Sequence, residues 1–418
     1  MALFSIDGLS FTYPEQTDPA LDGIRLDIDE GSFFVLCGHS GSGKSTLLRH
    51  LKPSLTPHGT RSGTLLFRDK PVDALAPAEA AGKIGFVLQS PDEQIATDTV
   101  LHELAFGLES IGCAPAVIRR RVAETAAFFG IDGWLSHPIS TLSGGQKQLL
   151  NLAAVMTLRP EVLVLDEPTA QLDPIAATGF IDALNRLNRE LGTTVILSEH
   201  RLEEALTYAD RAAVMEKGKV LCTGTAREIG EYLKEQQHTM FAAMPCAMRV
   251  WSTVETTLPC PVSVHDGQAF LAEYSREHPV LPPPPESTAP AHGAEMLCAS
   301  EVTFRYGRDL PDVIRDLELT VCGGEIFCIL GGNGAGKSTL LKLFSGICRP
   351  QRGTLTVKGR VTLLPQEPQT VFIKKTVYDD LYDQAIRENI PADRRRAEID
   401  RVAALCRIEK RLDRHPFD

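Results

Sequence analysis

Two glycine-rich segments of this sequence have the composition of loops that bind phosphate groups. The strings GHSGSGKST from Gly38 and GGNGAGKST from Gly331 each follow an apolar, strand-like run and open a helical pattern. In such a strand–loop–helix unit, the backbone N–H groups of the loop and the helix N-terminus face the phosphates. The lysine then reaches the β- and γ-phosphates, and the next serine hydroxyl suits Mg²⁺. Two full matches in one chain argue against turns that only cap helices. The candidate nucleotide-binding residues are Gly38, Ser40, Gly41, Gly43, Lys44, Ser45 and Thr46 in the first loop and Gly331, Asn333, Gly334, Gly336, Lys337, Ser338 and Thr339 in the second.

Two carboxylates end the apolar run VLVLDEP at Val162–Pro168. A continuous apolar run of this length is typical of a central parallel strand, and such strands present polar residues at their carboxyl ends. Asp166 is a candidate to hold Mg²⁺ through water. Glu167 is a candidate to polarise the attacking water, a general-base role worth about 10²–10⁴ in rate. Acidic residues also end strands without any catalytic role. The spacing of Asp166 and Glu167 to other motifs must therefore decide whether they are catalytic.

The string TLSGGQKQ at Thr141–Gln148 is the most diagnostic one. Ser143 can cap the helix that follows, and two glycines let the backbone approach a phosphate closely. Together with both phosphate loops, this string resembles the signature of ABC ATPases. The resemblance implies that the motif contacts the γ-phosphate of a nucleotide held by the opposite ATP-binding domain. The residues concerned are Ser143, Gly144, Gly145 and Gln146.

The same resemblance implies further roles around one site. Tyr13 is expected to stack on adenine, Gln89 to sense Mg²⁺ and the water, Asp173 to reach across a dimer, and His200 to contact the γ-phosphate. Taken alone, a tyrosine such as Tyr13 is more often a core aromatic, and a histidine such as His200 is more often a satisfied polar group at a strand end. The order and spacing of these residues along the chain favour their membership of one nucleotide-binding site. The implied metal-binding residues are Ser45, Gln89 and Asp166 in the first copy and Ser338 and Gln366 in the second, where Tyr306 is the counterpart of Tyr13.

An internal repeat organises the chain. The pairs Tyr13 with Tyr306 and Gly38 with Gly331 are both separated by 293 positions (306 − 13 and 331 − 38). Further along the chain, His137 and its counterpart His415 are separated by 278 positions (415 − 137). Carried forward, this offset puts the counterpart of the signature beyond Asp418. We therefore expect a second copy that ends before its signature and its carboxylates.

The expected fold is an α/β P-loop NTPase core of the ABC type, with an antiparallel β subdomain and an α-helical subdomain. The second copy should contain the first β elements, the phosphate loop and most of the helical subdomain. Between the copies, VLPPPPESTAPAHG is Pro-rich and suits an extended linker. The expected divisions are a first ATP-binding domain at 1–235, an ordered appendage at 236–279, the linker at 280–294 and an incomplete second ATP-binding domain at 295–418.

Composition limits the classes of function. The chain is 43% hydrophobic and 23% charged, as in ordinary globular proteins, and its formal charge of −11 disfavours a nucleic-acid-binding surface. No apolar run is long enough to span a bilayer, and the N-terminus lacks the pattern of a secretory signal. The ten cysteines show no zinc spacing, which favours reduced thiols. Cys37 and Cys328 lie in apolar strand patterns, so we expect both to be buried packing residues.

The segment QSPDEQIATDTVLHELAFGLES, which begins at Gln89, narrows the resemblance. It is similar to ATPases of energy-coupling factor importers, including the cobalt and nickel systems, as are the LSEH string and the appendage. This implies ATP and Mg²⁺ as cofactors and ATP hydrolysis that drives uptake of a vitamin or metal ion. The implied partners are an integral T-type membrane subunit, docked around Gln89–Ser110, a substrate-binding membrane subunit, and a second ATP-binding domain or a second copy of the chain. The implied location is peripheral, at the cytoplasmic face of the cell membrane.

Two other functions stay open on the sequence alone. One is a soluble tandem ABC protein acting on ribosomes or nucleic acid, although the linker is proline-rich rather than long and charged. The other is a nonfunctional remnant. Because each ABC site is shared by two domains, we also expect the isolated chain to bind ATP at both loops but to hydrolyse it slowly unless two first copies pair.

Overall fold

The computed structural model describes residues 2–14, 16–278, 293–366 and 368–417. The described residues before the Pro-rich segment form one compact unit, and nearly all of those after it form another. The linker expected at 280–294 lies outside the described residues except for its last two positions. Among the described residues, no helix combines the length and the apolar character needed to span a bilayer.

The first unit contains two sheets. Its strands are β1 (Ala2–Thr12), β2 (Leu21–Asp29), β3 (Phe33–Gly38), β4 (Thr60–Phe67), β5 (Lys70–Pro71), β6 (Ile84–Val87), β7 (Val162–Asp166), β8 (Thr194–Ser198), β9 (Arg211–Glu216) and β10 (Lys219–Gly224). The central sheet has the order β10-β9-β3-β8-β7-β6, in which only β9 and β10 pair antiparallel. The smaller sheet, β2-β1-β4-β5, is antiparallel. Strands β3, β7 and β8 are fully buried, as their continuous apolar runs predict.

Helices cover the central sheet and form a separate layer. They are α1 (Lys44–His50), α2 (Pro77–Lys83), α3 (Val100–Ser110), α4 (Pro115–Phe129), α5 (Gly144–Thr157), α6 (Pro174–Leu191), α7 (Leu202–Tyr208), α8 (Ala226–Glu235), α9 (Cys246–Ser252) and α10 (Val264–Glu277). Helices α3, α4 and α5 enclose a core of their own, which makes them a helical subdomain. The α/β core, the antiparallel sheet and the helical subdomain confirm the predicted fold class.

Helices α9 and α10 lie in the segment that we expected to be an ordered appendage, and the name appendage is used here for residues 236–278. Met248, Trp251 and Phe270 join the same buried cluster as residues of the central sheet. The indole N–H of Trp251 donates to the carbonyl of Leu258 at 2.9 Å, and the ammonium of Lys234 lies 3.8 Å from the centre of its ring. The appendage is therefore packed onto the first unit.

The second unit is smaller. Its strands, β11 (Glu295–Phe304), β12 (Ile314–Cys322) and β13 (Arg352–Val357), form an antiparallel sheet in the order β12-β11-β13. Its helices are α11 (Lys337–Phe344), α12 (Val377–Arg387) and α13 (Ala392–Cys406). The buried residues Val302, Phe304, Leu340 and Leu343 form a core between the sheet and α11.

One prediction about packing is wrong in the second unit. Cys37 is fully buried in β3, but Cys328 is exposed, and the run around it is not a strand. Ile326 is 93% exposed and Leu330 is 90% exposed. In the first unit β3 is hydrogen-bonded to β8 and β9 on its two sides, and the described residues of the second unit provide no strand at either position. An apolar run cannot form a buried strand without such neighbours.

Candidate nucleotide-binding site

The first phosphate loop joins β3 to α1 and depends on two glycines. Gly43 precedes α1 in a left-handed conformation with a φ of 100°, and a Cβ there would lie 2.6 Å from the carbonyl oxygen of Ala20. A Cβ on Gly38 would collide with the carbonyl oxygen of Met215 in β9. Both positions therefore require glycine, because a side chain would be strained and would meet backbone.

Lys44 closes the loop from inside. Its ammonium donates to the carbonyl oxygens of Gly38 at 2.9 Å and His39 at 3.2 Å, and it lies 3.8 Å from Glu167 Oε1. The side chain is 3% exposed. Burial lowers the pKa of Lys44 from its ordinary value, while the neighbouring carboxylates of Glu167 and Asp166 act in the opposite direction. The ammonium is thus held where the loop, the strand end and the carboxylates meet.

Ser45 and Asp166, both predicted to bind a metal ion, are in contact. Ser45 Oγ donates to Asp166 Oδ1 at 3.0 Å, and Ser198 Oγ donates to the same oxygen at 2.9 Å. Asp166 is buried at the end of β7, and Ser198 is its pairing partner at the end of β8. A carboxylate beside a hydroxyl, next to a phosphate loop, is a donor set that fits Mg²⁺, which prefers oxygen ligands.

Glu167 is surrounded by the other predicted catalytic residues. Its Oε1 lies 2.8 Å from His200 Nε2, and its Oε2 accepts a hydrogen bond from Gln89 Nε2 at 3.2 Å. Its backbone has a φ of 46°, an uncommon conformation for a residue with a side chain, which costs roughly 1–2 kcal/mol. The backbone N–H of Glu167 donates to Ser198, both to its carbonyl and to its hydroxyl, at 3.1 Å each. These hydrogen bonds fix the strained turn.

Two residues that the sequence interpretation did not single out help to build the site. Ser198 supports Asp166 and Glu167 as described. Glu199 is 2% exposed and accepts hydrogen bonds from the backbone N–H and the hydroxyl of Thr169, at 3.1 and 2.6 Å, and from the N–H of His200 at 3.0 Å. It therefore ties the turn after Glu167 to the turn that carries His200. The string LSEH contained a signal for Ser198 and Glu199, because these two polar residues follow directly on an apolar run.

Tyr13 and Tyr306 have matching environments in the two units. The hydroxyl of Tyr13 lies 3.1 Å from Thr46 Oγ1, and its ring packs edge-on against Phe11. The hydroxyl of Tyr306 lies 3.0 Å from Thr339 Oγ1, and its ring packs in the same way on the phenylalanine two residues before it. Each tyrosine is thus held against the first turn of the helix after its phosphate loop.

The second loop shares the local geometry of the first. Gly336 is left-handed with a φ of 94°, and Lys337 Nζ donates to the carbonyl of Gly331 at 2.7 Å. Ser338 and Gln366 are both exposed, and no hydrogen bond joins them within the described part of the second unit. The structure therefore forms a lysine-closed loop here without bringing the two predicted metal-binding residues into contact.

Comparison with known proteins decides the family. The sequence profile of the ABC transporter family matches residues 21–170 and 314–416, more than half of the chain. The chain belongs to the ABC transporter family. It is an ATP-binding protein of a family in which ATP hydrolysis is coupled to transport, as the sequence predicted.

Several relatives of this ABC protein share both copies. It is 38% identical over 395 residues to a putative ABC transporter ATP-binding protein of Bacillus thuringiensis subsp. konkukian, covering 91% of this chain and 70% of the relative. It is 35% identical over 424 residues to one of Streptomyces avermitilis, covering 90% and 72%. The solved structure of cbiO1 from Clostridium perfringens, part of the ABC transporter complex cbiONQ, is 32% identical, with a TM-score of 0.51 and coverage of 56% of this chain and 94% of that one.

The signature residues of this ABC protein lie at the start of α5, and Asp173 lies at the start of α6. Ser143 caps α5 in a reciprocal capping box with Gln146, and Gly145 lies against Ala176 at the start of α6, where a Cβ would approach the alanine to 3.2 Å. Asp173 Oδ1 accepts from the N–H of Ala176 at 2.9 Å. Among the described residues of the first unit, no hydrogen bond joins Ser143–Gln146 to the phosphate loop.

Helix α5 holds the segment around Gln89. Its buried Gln148 donates to the carbonyl of Leu88 at 3.2 Å, and Asn151 donates to the carbonyl of Pro91 at 3.0 Å. At the surface, Lys147 pairs with Asp92 at 2.6 Å. The helix that begins with the signature is therefore linked through three side chains to the segment around Gln89.

Proposed function

We propose that this ABC protein is the ATP-hydrolysing subunit of an energy-coupling factor importer, which drives uptake of a small molecule such as a vitamin or a metal ion. The observation that carries the proposal is the similarity to cbiO1, whose description places it in a transporter complex. That similarity exceeds 30% identity and covers nearly all of the smaller protein. The similarity of the segment that begins at Gln89 to the ATPases of such importers points the same way.

In this proposal the first copy carries the chemistry. Lys44 and the loop amides bind the phosphates of ATP, with Tyr13 stacking on the adenine. Ser45 and Gln89 supply oxygen ligands for Mg²⁺ and Asp166 holds it through water; the ion would neutralise phosphate charge when bound. Glu167 accepts the proton of the attacking water. Its 2.8 Å contact with His200 and its 3.2 Å contact with Gln89 support this role, because they fix the carboxylate in one orientation.

The signature is proposed to act on a nucleotide held elsewhere. Ser143, Gly144, Gly145 and Gln146 present backbone N–H groups at a helix N-terminus, which favours a γ-phosphate. This phosphate belongs to a second ATP-binding domain, either one within the assembly or another copy of this chain, and Asp173 faces the same partner. In the second copy, Tyr306, Lys337 and the loop glycines bind nucleotide, with Ser338 and Gln366 as the proposed metal-binding residues.

The proposed docking surface for an integral T-type membrane subunit lies at Gln89–Ser110. Here the buried carboxylate of Glu103 accepts hydrogen bonds from the N–H of Ala96 and from the N–H and hydroxyl of Thr97, at 2.8–3.3 Å, which makes the turn before α3 a fixed platform. Leu101 and Phe106 on α3 are 45% and 47% exposed. Exposed large apolar side chains on a rigid surface suit a protein interface. This arrangement supports a location at the cytoplasmic membrane face.

Co-purification with the membrane subunits tests the proposal. The chain should be expressed with T-type and substrate-binding membrane proteins encoded beside its gene, extracted in mild detergent and captured through a tag. We expect a stable complex that Phe106→Glu disrupts while ATP binding is kept. Leu271→Glu is the matched control, because Leu271 is 49% exposed on α10 in the appendage. Failure to recover a complex, or equal loss in both variants, would refute this assignment.

A further inference from the structure

The chain after α8 turns back toward the first phosphate loop. Gln237 is left-handed with a φ of 48°. The N–H of His238 donates to the carbonyl of Leu233, and the N–H of Gln237 donates to the carbonyl of Lys234, both at 3.0 Å. This pair of hydrogen bonds is the Schellman arrangement, which reverses the chain at the end of a helix. The reversal brings His238 and Thr239, the start of the appendage, beside the loop between β3 and α1.

Thr239 contacts the loop through His39. Its Oγ1 lies 3.1 Å from His39 Nε2, within hydrogen-bond distance. The rings of His39 and His238 lie nearly parallel, at 26°, with their centres 6.4 Å apart. The backbone carbonyl of His39 accepts a hydrogen bond from Lys44 Nζ at 3.2 Å. One loop residue is therefore held by the appendage on one side and by the phosphate-binding lysine on the other.

The appendage side of this contact is anchored in the core. His238 Nδ1 accepts from the N–H of Met240 at 3.1 Å, so the ring proton is on Nε2, which faces Glu216 Oε2 at 3.6 Å. Met240 is 2% exposed and belongs to the buried cluster of the central sheet. Thr239 stands between these two fixed residues. Its position relative to the loop is therefore set by packing.

The second copy differs at this point of its loop. When the two loop strings are aligned, Gly332 occupies the position of His39. A glycine has no side chain with which to make the contact. The two loops share the Lys-Ser-Thr sequence that opens their helices but differ in the residue at the position of His39.

We propose that Thr239 and His238 are positioning residues for the nucleotide site of the first copy. Acting through His39, they hold the loop carbonyls that orient Lys44. This rests on the proposed role of Lys44 in binding phosphate. Neither residue contacts Glu167 or Asp166 in the described part of the chain, so losing them weakens nucleotide binding and leaves the hydrolytic step unchanged.

Nucleotide binding by the full chain tests the proposal. Lys337→Ala is introduced as background, so that only the first loop reports on a fluorescent ATP analogue with Mg²⁺. Thr239→Val removes the hydroxyl and keeps the shape of the side chain. We expect it to raise the dissociation constant by about two- to tenfold, the equivalent of one hydrogen bond, to leave kcat unchanged, and Thr239→Ser to restore binding. Thr253→Val is the matched control, because the hydroxyl of Thr253 donates to the carbonyl of Val250 within the appendage.

A double-mutant cycle separates positioning from damage to the fold. His39→Gly gives the first loop the residue of the second and is expected to weaken binding by the same factor, after which Thr239→Val adds nothing. Additive losses, unchanged affinity in Thr239→Val, or an equal loss in Thr253→Val would overturn the proposal. If Lys44→Ala binds as tightly as its parent, the assignment of the nucleotide site itself fails. Loss in Lys44→Ala without loss in Thr239→Val refutes only the positioning role.

Discussion

His200 Nε2 and Glu167 Oε1 lie 2.8 Å apart, although 33 positions separate the residues (200 − 167). The contact arises because β7 and β8 are parallel neighbours that end together, with Asp166 opposite Ser198. A side chain after each strand end is thereby brought to the same edge of the sheet. Gln89, which follows the next strand along this edge, completes the group around the carboxylate.

Glu167→Gln should separate binding from hydrolysis. The amide has the size of the carboxylate but cannot accept the proton of water, so we expect turnover to fall by about 10²–10⁴. Affinity for ATP should stay within a few fold of the parent, since Glu167 is not expected to hold the phosphates. Steady-state phosphate release and equilibrium nucleotide binding measure the two effects on one preparation. Unchanged turnover would remove Glu167 from the role of general base.

Glu199→Ala should lower both stability and turnover. The substitution leaves the buried N–H of Thr169 and the part-buried N–H of His200 without their acceptor, which costs about 1–3 kcal/mol of unfolding free energy. Turnover falls because His200 loses the link that places it against Glu167. Glu190→Ala serves as the control, since Glu190 is 55% exposed and pairs only with Arg186 of its own helix among the described residues. Urea unfolding and ATPase assays that do not distinguish the two variants would contradict this account.

The sequence predicts those parts of the site that are local in the chain. The loop around Lys44 and the capped start of α5 at Ser143 follow from short strings, because each is one turn between two elements. The hydrogen bonds that Ser198 and Glu199 make to residues after β7 depend on the register of β8 against β7. This is a long-range pairing that no single sequence string contains. The expectation that Cys328 is buried is wrong for the same reason, because the apolar run around it resembles that of β3 but has no neighbouring strands in the described residues.

In the Lys337→Ala background, where only the first loop binds nucleotide, Asp166→Asn should abolish the contribution of Mg²⁺ to nucleotide binding. The amide loses the negative charge that a hard divalent cation prefers, but keeps an oxygen that can accept from Ser45. We expect ATP to bind in the presence of EDTA as it does to the parent, while added Mg²⁺ no longer tightens binding. Titration calorimetry with and without Mg²⁺ measures the difference. Asp182→Asn, which alters a carboxylate that accepts from Tyr208 at 2.7 Å, should keep the full response to the metal ion. A normal Mg²⁺ response in Asp166→Asn would exclude Asp166 from the metal site.

Thiol labelling should distinguish the two cysteines that occupy equivalent apolar runs. Burial raises the pKa of Cys37 to about 12, so at pH 8 the reactive thiolate is roughly 10⁻⁴ of the population, and reagent cannot reach it in the folded chain. Cys328 is exposed, and its thiol is expected to react with a maleimide within minutes. Between pH 7 and pH 9, Cys37 should stay protected until urea unfolds the first unit, because its pKa lies well above this range. Maleimide modification followed by peptide mass spectrometry gives both rates, with Cys328→Ser as the control for peptide assignment. Protection of Cys328 equal to that of Cys37 would mean that the run around Cys328 is a buried strand after all, and equal reactivity of both in native buffer would contradict the packing of β3.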